Sequence, residues 1–514
     1  MNMKIASPMD LCRRLAEGWT TESPDAPREL LARLRARWQG SVESECPRAS
    51  AYRAVLELNQ LHLLGTSALG CLVLGEGANV EQEVTEFWQC HGGPGRLAVI
   101  LAATTKIKEA AQKYVMPTGC LLLGDGELED LLTHSQPIEV LKKHMRSQIP
   151  LRRLLPYDFM HPVAPNMFFG RRDILKRLHE EETKSFAIAG PGRIGKSSLL
   201  KQYHYELRRK PRDDRRQHLF LIDCYPYARF DADQLAQRLA LHVSADSEAN
   251  RVNASTLTRF LKRRSRDGDR PLELLLDEVD SVCLNTAFDE LAEAVRSNYC
   301  RVVLCGRNNL YRLMKNGSHQ FDNRLELIRP EPLDPESAKQ LLLKPLSDLG
   351  ITLEDQVAFL ECVFDLSARL PHLIQYCANR LFQFAEADGS TAVTERYLQR
   401  LREEFVAMSH SMLPLEDLED DVARLMALLW LQEGGGTVTV GLFQGLAKKH
   451  SLTLGASKAL DICDQLWICN VLTWEHGVLA LASPHLVKFV RQMDFSNEIS
   501  RLKGLAASLL VDQA

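Results

Sequence analysis

The sequence of 514 residues has no paired cysteine motif, no long hydrophobic run and no strong excess of one charge. Its thirteen cysteines are scattered without a C-x-x-C pair or a histidine spacing that suits zinc, which predicts neither disulfides nor structural metal. The longest apolar run, Leu61 to Gly75, is interrupted by glycine and is too short to cross a bilayer. Asp10, Arg13 and Arg14 break any apolar run near the N-terminus, so no signal peptide is predicted. We therefore expect a cytoplasmic protein without a membrane partner.

Composition and length limit the fold class. The net charge of −4 at pH 7 gives no general attraction for nucleic acid or for an anionic membrane. Hydrophobic residues make up 45% and charged residues 25%, as in ordinary globular proteins. A chain of 514 residues is too long for one hydrophobic core, so several domains are expected.

One segment, Gly190-Pro-Gly-Arg-Ile-Gly-Lys-Ser197, specifies a particular chemistry by its residue types and spacing. A short apolar run precedes it and a helical pattern opening at Ser198 follows, which is the strand, loop and helix order of a phosphate-binding loop. The glycines let successive N–H groups point at phosphate oxygens. Lys196 is expected to reach the β- and γ-phosphates of ATP, and the Ser197 hydroxyl to hold Mg²⁺. The predicted nucleotide contacts of this segment are Gly190, Pro191, Gly192, Arg193, Ile194, Gly195, Lys196, Ser197 and Ser198.

Two further apolar runs end in polar residues. The run from Leu272 ends in Asp277 and Glu278, and downstream of a phosphate loop it predicts the Walker B strand. Asp277 is then a second Mg²⁺ ligand, and Glu278 is the general base that polarises the attacking water. The run from Arg301 ends at Arg307, for which two interpretations stay open. Its guanidinium either reports the presence of the γ-phosphate or belongs to a surface arginine that follows a strand.

The segment Phe168-Phe-Gly-Arg171 lies upstream of the phosphate loop. It resembles the box that opens the ATPase module of STAND NTPases, the AAA+-like signal-transduction ATPases that include NB-ARC proteins. The phosphate loop and the acidic strand follow this box in the order that the resemblance implies. Ile174, preceded by Asp173, stands where that family more often carries Glu. In the family this box lies over the adenine and ribose, which implies nucleotide contacts by Phe169, Gly170 and Arg171.

The same resemblance covers the segment from Ser367 to Gln375, which is similar to the family's G-x-P box. There the proline packs against the adenine from the helical lid, and this implies a contact by Pro371. The glycine of the box is Arg369 or is absent.

Residues 416 to 495 follow a helix, helix, helix and β-hairpin order, which is typical of the winged helix that STAND proteins place after the lid. Asp461 and Asp464 leave the would-be recognition helix without a basic face, which favours an intramolecular role over DNA binding. Some relatives keep a nucleotide-sensing histidine at the position of His485. A helix-capping Ser-Pro pair explains that stretch equally well.

The N-terminal region carries a second resemblance. Leu97 to Leu132 resembles the C-terminal half of Mrr-type restriction-endonuclease-like domains, and Val84 to Cys90 is predicted to be a strand. An active nuclease needs an Asp and a Glu/Gln-x-Lys on adjacent strands. Gly70 and Glu86-Phe-Trp88 stand there instead, which argues against cleavage. An unrelated small α/β sensor or docking domain is the alternative. Residues 135–165 are predicted to be an extended basic linker.

These patterns predict an α/β multidomain protein in which a P-loop NTPase parallel sheet, with a helical lid and a winged helix, follows a small α/β domain. The predicted domains span residues 1–150, 166–330, 331–412, 413–495 and 496–514. The STAND resemblance implies a molecular switch that binds and slowly hydrolyses ATP, self-associates when ATP-bound and recruits a protein partner, in bacterial defence by analogy. The alternative is a DNA-engaged AAA+ loader or transposition regulator, with Arg369 as a sensor in the lid. A third reading is a metal-dependent nuclease through the N-terminal domain.

Overall fold

The computed structural model describes most of the chain, and the statements below concern that part. The described residues are 11, 13–15, 17, 25–38, 41–48, 50–58, 68–91, 97–115, 120–209, 218–266, 271–315, 321, 324–408, 414–418, 420–475, 477–482, 486–487, 490–491 and 495–511. The chain divides into two compact units. The first contains residues 1–169, 339–356 and 375–397, and the second contains residues 170–338, 357–374 and 398–514.

A five-stranded mixed sheet forms the centre of the first unit, with its strands in the order β1-β2-β3-β4-β5. Their bounds are β1 Ser41–Arg48, β2 Ala51–Glu57, β3 Ala68–Leu74, β4 Leu97–Ala102 and β5 Cys120–Leu123. Strands β1 to β3 pair antiparallel, and β3 to β5 pair parallel. Every residue of β4 is buried, as expected for a parallel strand covered on both faces. The helices are Asp25–Trp38, Val80–His91, Thr105–Gln112, Asp125–Thr133, Pro137–Gln148 and Leu151–Leu154.

Two predictions for this unit are wrong. The segment predicted as a strand over Val84 to Cys90 lies in the helix Val80–His91. Val84 and Phe87 are its buried apolar residues, and a spacing of three places them on one helical face. The predicted extended linker contains the helix Pro137–Gln148, whose Val140, Leu141 and Met145 are buried at helical spacing.

The corrected helix changes the interpretation of Glu86. Its carboxylate accepts hydrogen bonds from Arg48 over 2.8 Å and from Arg53 over 3.1 Å, while Arg53 also pairs with Glu83 over 2.7 Å. Hydrogen bonds from Gln82, and then from Arg48 and Arg53, lower the pKa of Glu86 to about 2. Glu86 is therefore part of an ion-pair network on a helix and does not stand on a nuclease strand.

A five-stranded sheet that is parallel throughout forms the centre of the second unit, in the order β10-β6-β9-β8-β7. The bounds are β6 Ser185–Ala189, β7 Leu219–Asp223, β8 Leu272–Asp277, β9 Cys300–Gly306 and β10 Leu325–Ile328. The helices of this segment are Arg172–Glu180, Lys196–Arg209, Ala232–Val243, Leu257–Arg266, Ala287–Arg296 and Asn308–Lys315. Since the strands are parallel, β6, β8 and β9 end at one edge, which is where ligands bind in such sheets. The predicted P-loop NTPase sheet is confirmed.

Four helices follow this sheet along the chain, in the region predicted to be the lid. They are Pro335–Asp348, Gln356–Ser367, Pro371–Ala387 and Glu395–Met408. Two short strands, β11 Thr352–Leu353 and β12 Ala392–Val393, pair parallel in the first unit.

Residues 421–481, which we call the C-terminal module, contain the helices and the hairpin predicted for a winged helix, in the predicted order. The helices are Asp421–Glu433, Val440–Lys449 and Ala456–Ile468. The strands β13 Thr437–Val438, β14 Leu472–Glu475 and β15 Val478–Leu481 form a sheet in the order β13-β15-β14. A short 3-10 helix, Pro414–Asp417, precedes the module, and the helix Ser496–Val511 follows it.

Among the residues that the structure describes, no helix combines the length and the apolar character needed to span a bilayer.

Candidate nucleotide-binding site

The phosphate loop joins the end of β6 to the helix Lys196–Arg209, as predicted. Two loop residues have left-handed backbone conformations, Arg193 with φ 59° and Gly195 with φ 97°. Alternation of left-handed with ordinary residues turns successive N–H groups towards one point, which creates an anion-binding concavity. A Cβ atom on Gly195 would lie 2.9 Å from Nη1 of Arg171. Glycine at 195 is therefore favoured by its backbone conformation, and a side chain there would also displace the guanidinium of Arg171.

Lys196 lies beneath this loop and is buried. Its ammonium donates to the carbonyl oxygens of Gly190 over 2.9 Å and of Pro191 over 2.7 Å. Burial lowers the pKa of Lys196, and the nearby charge of Arg307 lowers it further. The two carbonyl groups hold the cation on the inner side of the loop, where a phosphate group gains the most from its charge.

Ser197 and Asp277 are brought together from the loop and from the end of β8. The Ser197 hydroxyl donates to Oδ1 of Asp277 over 3.0 Å. Burial raises the pKa of Asp277 and the charge of Glu278 raises it further, while the hydrogen bond from Ser197 acts in the opposite direction. A hydroxyl and a carboxylate are hard oxygen ligands, the kind that Mg²⁺ prefers.

These residues fit a magnesium ion that is shared with a nucleotide. Across the described residues there is no cluster of three or more His, Cys, Asp or Glu side chains that could hold a metal. Mg²⁺ at such sites usually takes only one or two protein oxygens and completes its shell with phosphate oxygens and water. Ser197 and Asp277 would supply such a partial shell.

Glu278 follows directly after β8. Its φ of 52° is left-handed, which is uncommon for a residue other than glycine. Its N–H donates to Oδ1 of Asp277 over 3.1 Å, so both acids are fixed at the strand end. Left-handed backbone at a non-glycine residue is concentrated at functional sites. The predicted role of Glu278 as a general base stays a prediction.

Asp280 connects the Walker B strand to the end of β9. Its carboxylate accepts the backbone N–H groups of Arg307, of Asn309 over 3.1 Å and of Leu310 over 3.2 Å. A Cβ atom on Gly306 would lie 2.7 Å from Oδ1 of Asp280, so glycine at 306 admits the carboxylate. Asp280 thereby caps the helix Asn308–Lys315 and fixes the backbone of Arg307. The sequence pattern did not predict this role, although Asp280 lies only two residues after Glu278.

Arg307 reaches the phosphate loop through a residue that the sequence analysis also missed. Its Nη1 atom donates to Oδ1 of Asp417 over 2.9 Å. Oδ2 of Asp417 accepts the N–H of Gly192 over 2.8 Å. The guanidinium of Arg307 therefore stands at the loop, as its interpretation as a phosphate sensor requires. No local sequence signal marks Asp417, because the residues it contacts are far away along the chain.

The Phe-Gly-Arg box supports the loop from its outer side. Gly170 has φ 76°, and a Cβ atom there would lie 2.7 Å from Oγ of Ser337. Arg171 donates to the carbonyl oxygen of Ile194 and, over 3.3 Å, to that of Glu331. Burial lowers the pKa of Arg171 to about 10. The guanidinium is thus held by one carbonyl of the loop and one that follows β10, and the predicted contacts of Gly170 and Arg171 with adenine and ribose stay predictions.

The remaining predicted contacts are placed as follows. Phe169 packs beneath the ammonium of Lys344, which lies 5.5 Å from its ring centre. Ser198 is buried in the first turn of its helix. Pro371 opens the helix Pro371–Ala387, a position that suits proline. His485 lies outside the described residues.

Arg369 is the candidate for the glycine position of the G-x-P box. Its φ of 59° is left-handed, a conformation that glycine adopts without strain. Its guanidinium donates to the carbonyl oxygen of Leu333 over 3.1 Å, and the N–H of Leu333 donates to the carbonyl oxygen of Arg369 over 3.1 Å. The side chain is therefore engaged with the main chain at the start of the lid.

Comparison with protein families gives a match to the model of Novel STAND NTPase 1 over residues 156–402. The predicted resemblance to STAND NTPases is confirmed for this segment. It contains the phosphate loop, the Walker B acids and Arg307, but not Asp417. No comparison supports the Mrr-type resemblance of the preceding domain, and a comparison with curated proteins found no match.

Three of the solved structures that are similar to the chain have low sequence identity with it. A Walker-type ATPase of Pyrococcus abyssi is 17% identical with a TM-score of 0.47, and the match covers 63% of this chain and 96% of that one. The ORC2 protein of Aeropyrum pernix, solved as ADPNP and ADP complexes, is 13% identical with a TM-score of 0.43, covering 64% and 93%. The RuvB Holliday junction branch migration motor of Thermotoga maritima is 14% identical with a TM-score of 0.34, covering 63% and 96%.

Proposed function

We propose that this protein is a molecular switch that binds ATP with Mg²⁺ and hydrolyses it slowly, so that the bound nucleotide controls its conformation and its association with itself and with a protein partner. The observation that carries the proposal is the hydrogen bond of 3.0 Å between Ser197 and Asp277 beside the buried ammonium of Lys196. A cation, a hydroxyl and a carboxylate at the mouth of a phosphate loop are the groups that phosphoryl transfer needs.

The chemistry is positioning and charge stabilisation. The loop N–H groups and Lys196 bind and orient the β- and γ-phosphates, and Ser197 with Asp277 holds the metal. Magnesium, when bound with the nucleotide, supplies neutralisation of the developing phosphate charge. Glu278 orients the attacking water and accepts its proton, and Arg307 interacts with the γ-phosphate.

The switch proposal rests on the proximity of the C-terminal module to the loop. A Cβ atom on Gly190 would lie 3.9 Å from the carbonyl oxygen of Ile468. Nearby, Asn470 donates to the carbonyl oxygen of Pro330 over 3.0 Å. The module is therefore close enough to the loop to serve as the second, bistable element that a nucleotide-dependent switch requires. By analogy with the family, we place this switch in the cytoplasm and in bacterial defence.

The DNA-engaged alternative has less support. Asp464 of the helix Ala456–Ile468 forms an ion pair with the ammonium of Lys315. Asp461 of the same helix lies 3.4 Å from Nζ of Lys458. An acidic helix engaged with the protein's own lysines is a poor partner for phosphate backbones. Arg369, the candidate sensor of that alternative, is held by the carbonyl of Leu333.

Nucleotide binding is tested first. Lys196→Ala is expected to abolish binding of fluorescent ADP and ATP analogues in equilibrium titrations. Lys176→Ala is the matched control, because that side chain is 71% exposed and pairs only loosely with Glu180 over 3.8 Å. If the Lys196 variant binds nucleotide with wild-type affinity, the proposal is wrong.

The switch is tested separately. Glu278→Gln keeps the shape of the side chain and removes the base, so the protein should stay in its ATP state. Mass photometry of this variant should then show heavier particles with ATP than with ADP, whether or not DNA is added. A mass that does not depend on the nucleotide would count against the switch while leaving nucleotide binding intact.

A further inference from the structure

Asp417 is the last residue of the 3-10 helix Pro414–Asp417, which precedes the C-terminal module. Both of its carboxylate oxygens are used by the nucleotide-binding site. Oδ2 accepts the Gly192 N–H over 2.8 Å, and Oδ1 accepts Nη1 of Arg307 over 2.9 Å. The side chain is 15% exposed, and Nδ2 of Asn308 donates to the Asp417 backbone carbonyl over 3.3 Å. Asp417 is thus held by three hydrogen bonds, two at its carboxylate and one at its backbone carbonyl.

The partners of this carboxylate are those of a phosphate group. A loop N–H and an arginine guanidinium bind carboxylate and phosphate oxygens by the same charge-assisted hydrogen bonds. A Cβ atom on Gly192 would lie 2.9 Å from Oδ1 of Asp417, so the absence of a side chain at 192 admits the carboxylate. Asp417 is also one of the carboxylates whose charge opposes the lowering of the Lys196 pKa by burial.

We propose that Asp417 occupies the position of the γ-phosphate and thereby sets the preference of the site between ADP and ATP. The inference rests on the proposed nucleotide-binding function. A carboxylate and a γ-phosphate repel each other and compete for the same N–H and guanidinium donors. A γ-phosphate must therefore displace the carboxylate, whereas a diphosphate leaves it in place. Asp417 is therefore a specificity-determining residue of this site.

Displacement of Asp417 can also affect the C-terminal module, because Asp417 lies just before its first helix. Asp420 lies three positions after Asp417, and its carboxylate accepts the N–H groups of Val422 over 2.9 Å and of Ala423 over 3.3 Å. It therefore caps the helix Asp421–Glu433, the first helix of the module. If the backbone of Asp417 moves together with its displaced side chain, the movement reaches the start of this helix.

The test compares three variants in titrations with ADP and with a non-hydrolysable ATP analogue. Asp417→Ala removes the competing anion and should raise the affinity for the ATP analogue at least about tenfold, while the ADP affinity changes less than about twofold. Asp417→Asn keeps an oxygen for the Gly192 N–H but has no charge for Arg307, so its gain should be intermediate. Glu416→Gln is the matched control, because it changes one charge in the same helix and leaves Arg424 paired with Glu498 over 2.7 Å.

The outcomes separate this inference from the proposed function. Equal gains for ADP and the ATP analogue, or a gain that Glu416→Gln reproduces, would overturn it. Wild-type protein and Asp417→Ala that bind the ATP analogue with equal affinity would also overturn it, with the proposed function unharmed. If neither the wild type nor any variant binds a nucleotide, the proposed function fails and the inference fails with it.

Discussion

The hydroxyl of Ser197 donates to Oδ1 of Asp277 across 3.0 Å, which joins two segments that lie 80 residues apart in the chain. The contact forms because β6 and β8 are parallel strands of one sheet and end at the same edge. It brings together a hydroxyl and a carboxylate, the protein oxygens that a nucleotide-bound magnesium ion needs.

We predict that Asp277→Asn removes the magnesium-dependent part of ATP affinity. The amide has no charge to offer the metal, yet it can still accept the Ser197 hydroxyl, so the local structure should persist. Titrations in Mg²⁺ and in EDTA give the measurement. The variant in Mg²⁺ should match the wild type in EDTA, and a variant that keeps the full effect of magnesium would place the metal elsewhere.

The pH dependence of this effect follows from the environment of Asp277. Burial raises the pKa of its carboxyl group above the ordinary value, with a further contribution from Glu278. The group therefore takes up a proton sooner than an exposed aspartate as the pH falls, and a protonated carboxyl group is a poor metal ligand. Magnesium-dependent affinity should decline at a higher pH than an ordinary carboxyl group would allow. A decline only at the ordinary value would show that Asp277 does not control metal binding.

We predict that substitution of Asp280 affects ATP hydrolysis more than nucleotide binding. Asp280→Ala deletes the acceptor of the Arg307, Asn309 and Leu310 N–H groups, and loss of such a cap costs about 1–2 kcal/mol. Because Lys196, Ser197 and Asp277 are untouched, ADP affinity should be nearly unchanged while the ATP hydrolysis rate falls. Equal losses of binding and turnover would indicate a general structural defect. Asp280→Asn, which keeps one oxygen, should recover part of the rate.

Sequence patterns predicted the elements whose structure depends on neighbouring residues. They did not predict roles that depend on contacts between residues far apart in the chain. The phosphate loop was predictable because its glycine and lysine spacing has few other uses, and the Walker B strand was predictable because it ends in two acids downstream of that loop. The segment Val84 to Cys90 was not, because a short run that mixes apolar and polar residues fits both a strand and a helix. Asp417 carries no local signal, because its role exists only once Gly192 and Arg307 are folded beside it.

Asp420 provides a prediction about stability and pH. Burial would raise the pKa of its carboxyl group, but hydrogen bonds and charge from Lys458, with help from Gln465 and the Ala423 N–H, lower it overall. A lowered pKa means that the stabilisation is present above the unfolded-state pKa of about 3.9 and is lost as the pH falls through the folded-state value. Asp420→Ala should lower the unfolding free energy by about 2 kcal/mol at neutral pH.

The measurement is thermal denaturation as a function of pH. Asp461→Ala is the matched control, because Asp461 lies 3.4 Å from Nζ of the same Lys458 but is 39% exposed and caps no helix. Its effect should stay within about 0.5 kcal/mol, as for other exposed pairs. If the stability of Asp420→Ala varies with acid pH as strongly as that of the wild type, the contribution assigned to Asp420 belongs to another group.

Arg329 yields a prediction about docking of the C-terminal module. Its Nη1 atom donates to the Trp467 carbonyl over 2.7 Å, to Oδ1 of Asn470 over 2.9 Å and to the Leu472 carbonyl over 3.3 Å. The guanidinium also lies 4.6 Å from the Trp467 ring centre, and the side chain is 8% exposed. Arg329→Ala leaves these buried acceptors without their donor, which costs on the order of 3 kcal/mol. We therefore expect faster hydrogen exchange throughout residues 456–475.

Lys315→Ala is the control for Arg329→Ala, because Lys315 contacts the same module through an exposed ion pair. Lys315 pairs with Asp464, but its side chain is 49% exposed, so its loss should cost less than about 1 kcal/mol and leave exchange nearly unchanged. Arg329→Lys keeps the charge but not the planar fork, and it should resemble the alanine variant more than the wild type. If Arg329→Ala and Lys315→Ala accelerate exchange equally, long-range charge holds the module. If only the Arg329 variants do so, buried hydrogen bonds hold it, and a nucleotide that loosens the module must break them.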